Sequence, residues 1–314
     1  MKNLTRSETA EILLAHDNYA IVTHRRPDGD TLGSSALLCM GLRQLGKNAH
    51  ILENPEITPK YAHLHRGLCK PVAEEGDFVV TVDVASAGML PDCFKHLTFD
   101  LRIDHHGNAT SFTPVELVEP GAAACGEIVY GVLSQMGAEL DIPMANALYT
   151  AISTDTGCFR YANTTNHTFA AAAACAKAGA EVFTINQALF ETNSLARLKV
   201  QSYMLQNAIF LQEGKVAICP LPKAVEKECG ACEDDLENIS GFPRTIEGVK
   251  LAVTIREEGT ERVKMSVRAV PGQDASALCA KFGGGGHKGA AGASMSMSLS
   301  EAVEAVITAL PIIV

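Results

Sequence analysis

The sequence predicts an α/β chain: an N-terminal domain on a doubly wound parallel sheet, followed by a smaller α+β domain. Three observations carry this expectation. Asp77 to Val84 (DFVVTVDV) and Leu101 to Asp104 are near-continuous apolar runs, the pattern of strands covered on both faces. Tyr19 to His24, Leu32 to Leu45 and Ala49 to Leu52 read as strand, helix and strand in succession, which builds a parallel sheet. A length of 314 residues exceeds what one hydrophobic core usually organises.

Helical segments follow the strands: Ala122 to Gln135, Met144 to Ser153, and the alanine-rich Thr168 to Ala178, where helix propensity is high. Ser194 to Leu211 reads as one further helix, after which the composition changes. The expected division is therefore a first domain over residues 1–192, a connecting helix over 193–211 and a second domain over 212–314. In the last of these, Lys215 to Cys219, Val249 to Arg256 and Arg262 to Val270 alternate like strands, while Ala275 to Phe282 and Ser300 to Leu310 read as helices.

Composition narrows the function. With 26 basic and 36 acidic residues the net charge is −10, so no basic stripe exists to follow a long duplex. Bound divalent cations would reverse the field locally, which leaves small phosphorylated substrates open. Aromatic residues make up 5% with no tryptophan, a poor basis for an extended stacking platform. Glu8, Glu11 and Asp17 interrupt any signal-like apolar stretch, and no later run is long enough to span a bilayer; a cytoplasmic protein with no membrane partner is expected. The ten cysteines show no framework spacing and read as reduced thiols. Cys229 and Cys232 form a C-x-x-C pair without the second ligand pair that a closed zinc site needs.

The strand-like segments end in acids or histidines, and in open parallel sheets ligands bind beyond the carboxyl ends of strands. His24-Arg25-Arg26-Pro27-Asp28-Gly29-Asp30 places an imidazole and two carboxylates on one tight turn, a donor set suited to a divalent cation. Alone, the cluster reads equally as a solvated turn with Asp30 capping the next helix. Asp83 closes an apolar strand, where an unpaired carboxylate is costly. Asp104-His105-His106 closes another, and Ser153-Thr154-Asp155-Thr156-Gly157 adds an acid in a small-residue turn after an apolar helix.

His24-x-x-x-Asp28-x-Asp30, Asp83, Asp104-His105-His106 and Asp155 together resemble the four motifs of the DHH phosphoesterase superfamily. Lys281-Phe282-Gly283-Gly284-Gly285-Gly286-His287, followed by Ala290-Ala291-Gly292, resembles the glycine-rich motif of the DHHA1 domain. The chain length and the continuation Thr154-Asp155-Thr156-Gly157-x-Phe159-Arg160-Tyr161 look most like the nanoRNase/pAp phosphatase subfamily.

The resemblance implies one metal ion on His24, Asp28 and Asp83 and a second on Asp30, Asp83, His105 and Asp155, with Asp83 bridging. It points to Mn2+, with Mg2+, Co2+ or Zn2+ as substitutes, and to hydrolysis by a hydroxide that two metals activate. Asp104 is expected to orient His105, leaving His106 for the scissile phosphate. Gly283 to Gly286 and His287 are expected to hold the far end of the substrate, with Arg268 as an anion clamp, although an exposed strand arginine is the plainer reading of Arg268. Arg160 and Arg102 read as surface or structural ion-pair partners. The implied substrates are very short oligonucleotides and 3′-phosphoadenosine 5′-phosphate (pAp). The alternatives are a linear or cyclic dinucleotide phosphodiesterase (c-di-AMP or pApA type), a RecJ-like single-strand exonuclease, or a non-catalytic nucleotide sensor. A homodimer is left open.

Overall fold

The computed structural model describes residues 2–107 and 110–313. They fall into two compact units, Met1–Thr192 and Asn193–Val314. In chain order the first contains β1 (Lys2–Asn3), α1 (Arg6–Ala15), β2 (Asn18–Val22), α2 (Gly29–Gln44), β3 (Asn48–Leu52), β4 (Cys69–Lys70), β5 (Phe78–Val82), β6 (Leu101–Asp104) and β7 (Val115–Val118). The helices α3 (Cys125–Gln135), α4 (Ile142–Asp155), α5 (Asn166–Lys177) and α6 (Val182–Asn186) complete it.

The seven strands lie in the order β1-β7-β6-β5-β2-β3-β4, and every neighbouring pair is parallel. From β2 the chain winds outward through β3 and β4, then returns to the other side of β2 with β5 and winds outward through β6 and β7. The β2–β5 border is thus the topological switch point, where the loops leaving adjacent strand ends diverge and open a crevice.

Alternation along the strands sorts residues onto two faces. Tyr19, Ile21, Val80, Val82, Leu101 and Ile103 pack with Leu13, Leu37, Leu42, Ile128 and Leu148 under the helices. Ala20, Val22 and Val79 face the opposite layer, where Leu90, Phe94 and Phe99 cover the sheet. That second layer contains short 3-10 turns (Ala87–Met89, Asp92–Phe94) rather than long helices.

Helix starts follow capping chemistry. Thr5 and Glu8 form a capping box on α1, Asp28 accepts from the amides of Asp30 and Thr31 on α2, and Asp141 accepts from Met144 on α4. Glycines set the distance between helices: a Cβ on Gly33 of α2 would lie 2.4 Å from the Ala147 carbonyl oxygen of α4. One on Gly29 would lie 2.4 Å from the Thr154 side chain. This close approach puts the start of α2 beside the end of α4.

The second unit comprises α7 (Leu195–Gln206), β8 (Ile209–Leu211), β9 (Val216–Leu221), α8 (Lys223–Cys229), α9 (Glu233–Leu236), β10 (Leu251–Gly259), β11 (Arg262–Ala269), α10 (Ala275–Ala280), β12 (Gly285–Gly286), β13 (Ala290–Met295) and α11 (Leu299–Ala309). Its mixed sheet has the order β12-β13-β11-β10-β9-β8, with β9–β10 the parallel pair. The helix expected over Ser194 to Leu211 stops at Gln206, and residues 209–211 pair with β9 as a strand. Val200 and Met204 of α7 pack on Cys219 and Leu221 of β9, so the helix belongs to this unit's core. No helix among the described residues is long and apolar enough to cross a membrane.

Candidate metal centre

Three side-chain groups gather at the switch point: His24 with Asp28 and Asp83; Asp30 with His105 and Asp155; and Asp83 with His105 and His106. Within each, one donor atom per residue lies within 4.8 Å of the others. His24 follows β2, Asp83 follows β5, and His105 and His106 follow β6. Asp30 sits in the first turn of α2. Asp155, expected in a turn after an apolar helix, is the last residue of α4, and the close approach at Gly29 and Gly33 brings that helix end beside the start of α2.

Each histidine near Asp83 has a defined orientation. His24 Nδ1 lies 2.8 Å from the Arg25 carbonyl oxygen and His105 Nδ1 lies 3.2 Å from that of Ala122. A carbonyl only accepts, so both rings carry their proton on Nδ1 and turn an Nε2 lone pair into the cluster. From there His24 Nε2 is 3.7 Å from Asp28 and 3.6 Å from Asp83 Oδ2. His105 Nε2 is 3.5 Å from Asp83 Oδ1, 3.7 Å from Asp30 and 3.6 Å from Asp155. Asp83 therefore directs one oxygen toward each imidazole.

The expectation that Asp104 orients His105 is corrected. Asp104 Oδ1 lies 2.8 Å from His106 Nδ1 and accepts from the backbone amides of His105 and His106. Alternate side chains of extended backbone share a side, so position 104 reaches the ring at 106 and not that at 105. The carbonyl of Ala122 takes the place assigned to Asp104.

Electrostatics mark the centre as under-compensated. Asp83 is 2% exposed, has φ of +60° at the end of β5, and its Oδ1 has no hydrogen-bond partner among the described residues. Burial and the nearby Asp30 charge push its carboxyl up to about 7. Burial, with Asp30 and Asp28, raises Asp155 as well. Burial opposes protonation of His106, but the Asp104 hydrogen bond and the charges of Asp83, Asp104 and Asp155 together outweigh it and lift the ring to about 9.

Asp30, 1% exposed, accepts from the amides of Cys125 (2.7 Å) and Gly126 (3.1 Å) at the start of α3 and from the Ser34 hydroxyl (2.8 Å). Separations of 3.5–3.7 Å between the remaining donors are too long for hydrogen bonds. They are of the order that separates ligands sharing a cation held at about 2.1 Å. Carboxylates and imidazoles crowded this way, with a bare buried oxygen between them, fit divalent cations.

Some positioning groups have no counterpart in the sequence reading. Asn163 Nδ2 donates to the carbonyls of Ala123 (3.0 Å) and Asp155 (3.1 Å), tying the segment that supports Asp30 and His105 to the one that carries Asp155. The run Ala122-Ala123-Ala124-Cys125-Gly126 was a usable signal of close approach: a Cβ on Gly126 would lie 2.7 Å from that of Ala151. Arg102 is buried, bonded to Glu116 at 2.7 Å, and is structural as expected. Arg160 is exposed and donates to the Gly157 carbonyl.

In the second unit, Gly285 and Gly286 form a strand against β13 rather than an open loop. Gly283 (φ +73°) and Gly286 (φ +143°) need glycine for their backbone, and a Cβ on Gly284 would lie 2.2 Å from the Gly292 carbonyl oxygen. An added Cβ would meet open space at Gly283 and Gly285, and of these only Gly285 lacks a positive φ. Arg268 pairs across the sheet with Ala290, the neighbour of the Ala291 that pairs with Gly286. The register thus sets Arg268 near the glycine strand, with exposed His287 following it.

Comparison with known proteins is consistent with both units. The model of the DHH family N-terminal domain matches residues 18–152, and that of the DHHA1 domain matches residues 215–310. The bifunctional oligoribonuclease and PAP phosphatase NrnA of Thermus thermophilus is 33% identical over 96% of this chain and 91% of its own. The crystal structure of an exopolyphosphatase-related protein from Bacteroides fragilis superposes with a TM-score of 0.83 at 24% identity, covering 97% of this chain and 95% of the other. A structure of the exonuclease RecJ bound to manganese shares the fold at a TM-score of 0.53 and 14% identity, covering 99% and 96%. Matched along nearly its whole length, with the two domain models in order, the chain belongs to the DHH/DHHA1 phosphoesterases.

Proposed function

We propose that this phosphoesterase hydrolyses very short oligonucleotides and removes a phosphate from pAp, using two divalent cations. The observation that carries the reading is Asp83, whose two oxygens face His24 and His105 in separate donor groups. His24, Asp28 and Asp83 would hold one ion, and Asp30, Asp83, His105 and Asp155 the other. Manganese suits this mixed carboxylate and imidazole set. Bound there, the cations would supply Lewis acidity toward phosphoryl oxygens and make water nucleophilic at neutral pH.

The protein's own groups supply orientation. The carbonyls of Arg25 and Ala122 fix the two imidazoles, and the α3 amides hold Asp30. Asp104 keeps a proton on His106 Nδ1 and turns the other ring nitrogen away from itself, where it can donate to a phosphate or leaving oxygen. In the second unit Arg268, Gly283, Gly284, Gly285, Gly286 and His287 are assigned to the substrate's far end, since guanidinium and glycine backbone amides both suit an anion.

The substrate assignment rests on likeness to the Thermus thermophilus relative, named for oligoribonuclease and PAP phosphatase activities. The test is gel-resolved digestion of end-labelled RNA and DNA from two to twenty nucleotides, beside pAp and cyclic and linear dinucleotides, with Mn2+. Expected are fast cleavage of the shortest oligomers and of pAp and little of the twenty-mer. Preference for long single strands, or for cyclic dinucleotides over both, would replace this substrate class, and no cleavage of any ester would leave a sensor.

A further inference from the structure

The successive peptide units from Ala122 to Gly126 all serve the metal donors, and the first of them is gripped from both edges. Its carbonyl, on Ala122, accepts from His105 Nδ1 (3.2 Å), and its amide, Ala123 N–H, donates to Glu127 Oε2 (3.5 Å). A trans peptide is planar and points its C=O and N–H in opposite directions, so the imidazole and the carboxylate face opposite edges of one rigid unit.

Glu127 is poorly served where it lies. It is 5% exposed, its Oε1 has no hydrogen-bond partner, and among the described residues the Ala123 amide is the only donor its carboxylate meets. Burying a carboxylate this way costs stability that an apolar residue at the same position would not lose. Helix capping does not account for it. A glutamate at the third position of a helix ordinarily reaches back to the amide of the N-cap residue. In α3 that residue is Ala124, and Glu127 reaches one residue further. The amides of Cys125 and Gly126 that open the helix are already taken by Asp30.

Linked hydrogen bonds polarise one another, and an anionic acceptor on an amide N–H enriches the carbonyl oxygen of the same peptide. We propose that Glu127 is a positioning residue of the metal centre, its carboxylate acting through the Ala122–Ala123 peptide to strengthen the carbonyl that holds His105. A carboxylate behind a metal-binding imidazole fixes the ring and raises the basicity of its other nitrogen. Here the peptide is interposed between the two. The effect on a cation rests on the proposed role of His105 as ligand, whereas the effect on the Ala122–His105 hydrogen bond does not.

Glu127→Gln in the full chain separates charge from shape, because it keeps the size and an acceptor for the Ala123 amide. In the metal-free protein, nuclear magnetic resonance should find the His105 Nδ1–H signal moved upfield as its hydrogen bond weakens, with a cooperative thermal transition retained. Manganese titration followed by electron paramagnetic resonance should show about tenfold weaker binding of one ion and unchanged binding of the other. Glu127→Leu, which leaves no polar side-chain atom at the position, should show the same pattern more strongly and serves if the glutamine variant does not fold. A folded Glu127→Gln with wild-type affinity for both ions, with equal weakening of both, or with an unmoved His105 signal would each overturn the proposal. If the wild type bound no manganese, the metal reading would fail, and the metal-free His105 signal would still decide whether Glu127 acts through the peptide.

Discussion

Replacing Asp83 with asparagine should stabilise the metal-free protein and destabilise the metal-loaded one. The carboxyl moves from its ordinary 3.8 to about 7 through burial and the Asp30 charge. At about 1.36 kcal/mol per pH unit this corresponds to roughly 4 kcal/mol, an upper figure because the neighbouring acids titrate together. The folded value is the higher one, so between 3.8 and about 7 the folded protein keeps a proton that the unfolded chain has released. The favourable contribution is therefore whole below 3.8 and erodes as pH rises towards 7. Asparagine removes the charge and tolerates the left-handed φ of +60°.

In chelator at pH 8, Asp83→Asn should exceed the wild type by up to about 4 kcal/mol, a Tm gain of roughly 10 °C for a unit of this size. At pH 5 the advantage should shrink to under about 2 kcal/mol. With manganese at a hundredfold its dissociation constant, each bound ion adds about 2.7 kcal/mol to the wild type alone, and the order should reverse. Thermal unfolding by circular dichroism at both pH values, with and without metal, measures all four quantities. A metal-free Asp83→Asn that melts below wild type at pH 8, or a difference indifferent to pH, would refute the view of Asp83 as an uncompensated shared ligand.

Three further outcomes are expected. Asn163→Ala removes two hydrogen bonds and should weaken manganese binding at the Asp30, His105 and Asp155 group by ~10-fold while leaving the other group unchanged, as read by electron paramagnetic titration. In metal-free protein His106 should titrate near 9 by nuclear magnetic resonance and lower in Asp104→Asn. Its raised value stabilises the fold below the ordinary 6.5 and loses that contribution as pH rises through about 9, so the wild type should show a larger alkaline loss than Asp104→Asn. Gly285→Ala should fold normally because nothing lies within 4 Å, yet raise KM if the backbone there touches substrate; Gly286→Ala should lower stability by about 1–3 kcal/mol through its φ of +143°.

Much of the centre was legible because long apolar strands end abruptly in ionisable residues. Asp83 and Asp104 could be placed at strand ends from Phe78 to Val82 and Leu101 to Asp104 alone. What escaped is carried by groups that residue identity does not display. The amides of Cys125 and Gly126 and the carbonyl of Ala122 act as backbone, so no residue name announces them. The His105 partner was misassigned because adjacency along the chain is not adjacency in space when backbone is extended. Asn163 lies well downstream of the motif whose Asp155 it holds, with no pattern linking the two. Short edge strands such as β1, β4 and β12 are too brief for periodicity to register, and the start of β13 overlaps the glycine-rich motif. In β2, β5 and β6 continuous burial made the pattern plain.

The crossing of the chain from β4 back to β5, beside β2, also has a thermodynamic corollary. Each donor group draws on segments far apart along the chain, His24 with Asp83 in one and Asp30 with His105 and Asp155 in the other. No fragment shorter than this stretch assembles a complete coordination sphere. Cation affinity is thus linked to cooperative folding of the sheet, and any lesion that loosens β2 from β5 lowers it without touching a donor.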